Sequence, residues 1–75
     1  MLSKVLLSEI SGTVWRVACE KGQEFFPGDE LIILESMKME IPIKPEIRGT
    51  IVQVFIEEGD FIEEEQKLLE YIVDD

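Results

Sequence analysis

Apolar residues recur along this chain with a period of two. Trp15, Val17 and Cys19 alternate with Val14, Arg16 and Ala18, and Val52, Val54 and Ile56 alternate with Ile51, Gln53 and Phe55. Alternation of β-branched and aromatic residues between glycines predicts strands, not helices. Gly12 and Gly49 open the two runs, and Gly22 and Gly59 follow polar pairs and predict tight turns. Residues 30–34 and 67–73 read as further strands. Pro42 and Pro45 lack a backbone donor and belong at an edge or bend. The sole helical candidate is 63–69, weakened because its counterpart elsewhere in the chain contains Pro27-Gly28.

That counterpart exists because the chain repeats itself. Residues 11–35 align without gaps on residues 48–72, at an offset of 37, with Gly12/Gly49, Thr13/Thr50, Val17/Val54, Glu20/Glu57, Gly22/Gly59 and Leu31/Leu68 identical. Neither half, with about four short strands, buries an apolar face alone. Packed together they predict an all-β flattened barrel or sandwich of two four-stranded halves related by a pseudo-two-fold axis. The repeat predicts core positions at Cys19 (opposite Ile56), Trp15 (opposite Val52) and Phe25 (opposite Ile62), with Phe26, opposite Glu63, on the surface. Residues 36–47 have no counterpart in this alignment and must turn one half into the other.

Composition narrows the function. Seventy-five residues form a single domain, here taken as 1–75. An apolar share of 45% with six aromatics suits a globular core. The formal charge is −10, with acidic clusters at Glu57-Glu58, Glu63-Glu64-Glu65 and Asp74-Asp75. Such a surface repels phosphate backbones and anionic lipid, so neither nucleic acid nor membrane is an expected partner. The glutamate runs read as a solvated face, with no convergent set of metal ligands. With no histidine, one cysteine and no glycine-rich phosphate loop, no catalytic constellation can be assigned, and an enzyme is not expected. The single cysteine excludes an internal disulfide, and without an evident targeting segment the expected address is cytoplasmic.

The unmatched segment holds the candidate chemistry. Glu35-Ser36-Met37-Lys38-Met39-Glu40 stands at the midpoint of the chain, between the two glycine-marked repeats. Met-Lys-Met alone is a weak signal; its placement at the joint between two β repeats makes it a strong one.

Together with Ser11-Gly12-Thr13-Val14, Gly22, Gly28-Asp29, Leu31, Pro42-Ile43-Lys44, Gly49 and Gly59-Asp60, this motif resembles the biotinyl domain of biotin-dependent carboxylases along nearly the whole chain. It is most similar to the short free-standing biotin/lipoyl attachment proteins, and it has no spare residues for the extra loop of larger carriers. Ser36 departs from the alanine usual before Met-Lys-Met. The resemblance implies that Lys38 sits at a β-hairpin tip and is joined to biotin by a biotin protein ligase. It also implies that Met37 and Met39 help select the ligase, with Glu35 and Glu40 guiding it. The biotin would then serve a biotin carboxylase site and a carboxyltransferase site in turn. Two readings stand beside this one. A lipoyl carrier with lipoate on Lys38 shares the fold, and Ser36 leans that way; modification by both groups also stays open. An unmodified acidic interaction module leaves Met-Lys-Met unexplained.

Overall fold

The computed structural model describes residues 3–73; Asp74-Asp75, one of the acidic clusters noted above, lies outside them. The described chain is all-β. Its eight strands are β1 (Ser3–Leu7), β2 (Gly12–Val17), β3 (Glu24–Phe25), β4 (Ile32–Ser36), β5 (Met39–Ile43), β6 (Gly49–Val54), β7 (Phe61–Ile62) and β8 (Lys67–Val73). They form two antiparallel sheets, ordered β1-β8-β6-β3 and β5-β4-β2-β7, packed as a sandwich. Each sheet takes two strands from each half of the sequence, so the halves interlock instead of supplying one sheet each. Residues 63–69 form a turn and the start of β8, not a helix.

The pseudo-two-fold extends further than residues 11–35 and 48–72. Strand β1 pairs with β8 as β5 pairs with β4: the pair Ser3↔Ile72 in one sheet is the 37-residue shift of Glu40↔Glu35 in the other. The stretch 36–47 therefore does have a partner. Its residues 40–47 match 3–10, and Glu9/Glu46 and Ile10/Ile47 are identical at the same offset.

Four turns repeat one design. In each, a backbone N–H donates to the carbonyl three residues earlier, a left-handed residue stands third, and the side chain of the fourth accepts from the first N–H. The left-handed residues are Gly22, Gly28, Glu65 and Gly59, with φ between 71° and 94°. This is the type II pattern, and Pro27-Gly28 carries its preferred residues.

Between the sheets lies one core of Val14, Cys19, Phe25, Leu31, Ile32, Leu34, Ile51, Ile56, Ile62, Leu68 and Leu69. Phe25 and Cys19 are inside, and Phe26 is on the surface. Trp15 is not core: half of it is exposed, at 49%, whereas Val14 is buried. The cause is a β-bulge. The pairing of β2 with β4 slips between Val14 and Arg16, and that of β6 with β8 slips between Ile51 and Gln53. The extra residue, Trp15 in one half and Val52 in the other, resets the alternation. Val14 faces inward before the bulge, and Val17 and Cys19 face inward after it, so a strict period of two counted back from Cys19 misplaces the tryptophan.

Burial pushes the Cys19 thiol above its usual value of 9.0. The folded chain then holds this proton more tightly than the unfolded one. The resulting stabilisation is complete below pH 9.0 and is lost as pH rises through the folded value. Urea midpoints followed from neutral to alkaline pH should therefore fall more steeply for the parent than for Cys19→Val. Parallel curves would contradict this account.

Candidate functional site

Strands β4 and β5 form a hairpin held in the sandwich at its base and free at its end. Ile32 and Leu34 anchor β4 in the core, and their partners Ile43 and Ile41 are partly covered. Ser36 pairs with Met39, leaving Met37 and Lys38 as a two-residue loop. Both loop residues have positive φ, 52° and 66°, the signature of a type I′ turn, whose twist matches that of the flanking strands. The position usually takes Asn-Gly. For residues with a Cβ, the left-handed conformation costs roughly 1–2 kcal/mol each, so this loop holds its shape through the register of the strands beneath it. Close beneath the loop, β2 lies so near that a Cβ on Gly12 would stand 2.6 Å from the carbonyl oxygen of Glu35.

This geometry puts the Lys38 amine at the extremity of the hairpin. Lys38 is exposed, Met37 is 92% exposed and Met39 64%. Glu35 and Glu40 face each other directly across β4 and β5, one pair back from Ser36 and Met39. Both carboxylates are exposed, and neither has a hydrogen-bond or ion-pair partner among the described residues. Like charges so placed repel, which leaves them available to an outside cation. The two apolar grooves of about 240–250 Å³ lie away from the tip: one is bounded by Leu6, Ile10, Ile41 and Ile43, the other by Phe25, Leu31, Ile47 and Tyr71. Among the described residues no group of three or more acidic or sulfur ligands is arranged to hold a metal ion. The tip thus offers an accessible amine with no pocket around it, suited to being acted upon.

Phe61, 63% exposed on β7, was not singled out by its sequence context. The available signal was its partner in the repeat, Glu24: a large apolar residue stands where the other half has a charge.

The loop geometry makes a prediction. Met37→Asn, placing a residue that tolerates the left-handed region at the first loop position, should raise stability by about 0.5–1 kcal/mol. Urea unfolding measures it; an unchanged or lower midpoint would contradict the type I′ assignment.

Comparison with known proteins agrees with this geometry. The sequence model of the family described as "Biotin-requiring enzyme" matches residues 4–71. The biotin/lipoyl attachment protein of Bacillus subtilis (strain 168) is 44% identical over 62 residues, covering 83% of this chain and 85% of that protein. The biotinylated protein TB7.3 homolog of Mycobacterium leprae (strain TN) is 39% identical over 56 residues, covering 75% of this chain and 79% of that protein. Among solved structures, a single-chain, multi-domain long-chain acyl-CoA carboxylase superposes with a TM-score of 0.90 at 29% identity, over 97% of this chain. The match spans only 7% of that much longer protein.

Proposed function

The chain belongs to the biotin/lipoyl attachment family, and from that premise we propose that Lys38 carries biotin in amide linkage and that the domain acts as a biotin carboxyl carrier, without catalytic activity of its own. The observation that carries this reading is the exposed amine at the end of a type I′ hairpin. It fits covalent attachment: no neighbouring side chain confines it, and the strand register beneath fixes its direction.

Acyl transfer to an amine needs a free nitrogen lone pair and a good leaving group, so the ligase must supply both a base and an activated acyl group. The Lys38 Nζ, once deprotonated, attacks the activated carboxyl carbon; the amide bond forms as the bond to the activating group breaks. The lysine's charge disappears, and its four-carbon stem becomes part of a longer arm. Biotin, when bound, supplies a ureido nitrogen that takes up and gives up a carboxyl group. The protein provides position, reach and a high local concentration at a biotin carboxylase site and a carboxyltransferase site. A buried thiol and no disulfide suit a reducing compartment such as the cytoplasm.

Met37 and Met39, which flank the amine with flexible apolar surface, favour biotin over lipoate, as does the name of the Mycobacterium leprae relative. Lipoate is the second reading, favoured by Ser36 and by the dual name of the Bacillus subtilis relative. Streptavidin capture from cells producing the chain with a biotin ligase separates the readings. Retention supports the carrier role. Loss of the chain in the flow-through, with a control carrier retained, overturns biotin in favour of lipoate or an unmodified module.

A further inference from the structure

The pseudo-two-fold gives each sheet edge an internal control, because the edge strands β1 and β5 are mates. On β1, Ser8 turns both backbone groups inward: its N–H donates to the Gln66 carbonyl and its carbonyl accepts from the Glu65 N–H. Backbone groups alternate sides along an antiparallel strand, so those of Leu7, Val5 and Ser3 point away from β8, to the open edge. On β5 the Ile43 carbonyl accepts from the Leu31 N–H, which turns Pro42 outward in the same way. At the 37-residue offset the outward residues Ser3, Val5 and Leu7 match Glu40, Pro42 and Lys44. The β5 edge thus bears two charges and a proline without an N–H, features that keep an edge from pairing. None of the three outward residues on β1 has either feature. Val5 is 40% exposed and Leu7 45%, and the groove bounded by Leu6, Leu7, Ile10, Ile41 and Ile43 opens beside them. The remaining edges, β3 and β7, are two residues long.

We propose that β1 is a self-association edge whose occupant is the β1 strand of a second copy of this chain. Antiparallel pairing about a two-fold axis at Val5 sets Val5 against its own counterpart and Ser3 against Leu7. Each outward N–H and carbonyl of these three residues then finds a partner. Self-complementarity argues for a second copy over an unrelated strand. Lys4, the one charged residue on β1, comes opposite Leu6, so no like charges meet across the seam. Val5 and Leu7 supply apolar surface that the pairing covers. The overall charge of −10 opposes self-association, but the charges near this edge are sparse and mixed. Across β8, Glu70 stands beside Val5 and Lys67 beside Leu7. The two Glu70 carboxylates of a dimer lie three strand spacings apart, about 14 Å, beyond the screening length of about 8 Å at physiological salt. The nearest acidic run, Glu63-Glu64-Glu65, lies past the end of β1 in the turn that bonds to Ser8, so salt strengthens the pairing. Reversed strand direction across the seam sends the two Lys38 hairpins toward opposite ends and leaves both amines accessible. The seam is one five-residue strand, short of a standard interface of about 1,600 Å², so the dimer is weak and reversible.

The test is sedimentation equilibrium of the full chain from about 10 µM to about 1 mM, at low and at physiological salt. The expected result is an average mass that climbs with concentration from that of the monomer toward twice that value, and climbs earlier at the higher salt. Val5→Pro copies the mate residue Pro42 and removes an N–H that β8 does not use. It should raise the dimer Kd about tenfold or more, with thermal unfolding little changed. If that variant unfolds, Val5→Lys carries the test. A cation there lies beside Glu70 of its own chain, yet faces its own copy across the axis. It too should raise Kd about tenfold or more. Glu24→Ala, on the short β3 edge, should leave Kd unchanged. A parent that stays monomeric at about 1 mM overturns the proposal. So does a dimer whose Kd is the same in the folded Val5 variants, since its interface then lies elsewhere.

Discussion

Lys38→Arg is expected to abolish biotin attachment completely while leaving thermal unfolding unchanged. Guanidinium keeps its proton at any accessible pH and is no nucleophile, so no acyl transfer to it can occur. The fold has no stake in the exchange. Lys38 is exposed, and its backbone, at φ 66°, places arginine under the same strain as lysine. Surface substitutions of this kind stay within about 0.5 kcal/mol. Streptavidin blotting after incubation with a biotin ligase measures the first effect and calorimetry the second. Biotin on the variant would place the attachment elsewhere, at Lys4, Lys21, Lys44 or Lys67, and would refute the central role of Lys38.

Phe25→Ala is expected to have the largest effect on stability. Phe25 is 1% exposed, meets Tyr71 edge-to-face at 5.8 Å, and lies under Gly49, where an added Cβ would stand 2.8 Å from its Cζ. The ring therefore fills the space in which β3, β6 and β8 approach one another. Removing a buried phenylalanine ring costs roughly 3–5 kcal/mol. A domain of this length has only about 4–11 kcal/mol in total, at roughly 0.05–0.15 kcal/mol per residue. The variant should lose more than about 10 °C of melting temperature. A drop of only a few degrees would mean that the neighbouring side chains collapse into the space.

Much of this architecture is legible in the sequence, because strand periodicity and turn glycines act over short distances. The strands opening at Gly12 and Gly49 and the turns at Gly22 and Gly59 follow from local pattern, and the inward Phe25 from its match to Ile62 in the repeat. The lysine at a hairpin end was legible through the resemblance of its motif and its place between repeats. What escaped depends on register. One extra residue in β2 reversed the alternation and moved Trp15 outward, and no composition rule marks a bulge whose residue is not glycine. Residues 63–69 carry a run of helix-forming side chains, yet Glu65 adopts the left-handed conformation and the segment turns, held by the Gln66 N–H donating to the Glu63 carbonyl, the Glu63 N–H donating to Gln66 Oε1 and the Glu65 N–H donating to the Ser8 carbonyl. Sequence identity in the repeat thins out before Ser11. Beyond it, identity between 3–10 and 40–47 rests on Glu9/Glu46 and Ile10/Ile47, and only the matched pairing of β1 with β8 and β5 with β4 restores the rest. The interlocking of the halves needs the sheet order and could not be read from spacing.

The most direct measurement is the intact mass of the chain after incubation with a biotin ligase, biotin and ATP, followed by peptide mapping, with a lipoate ligase in parallel. The expected result is a single biotinoyl group, mapped to Lys38 and absent from Lys38→Arg. An unchanged mass with biotin, from a ligase that modifies a control carrier, would contradict the biotin assignment; a lipoyl group on Lys38 in the parallel reaction would then identify the chain as a lipoyl carrier.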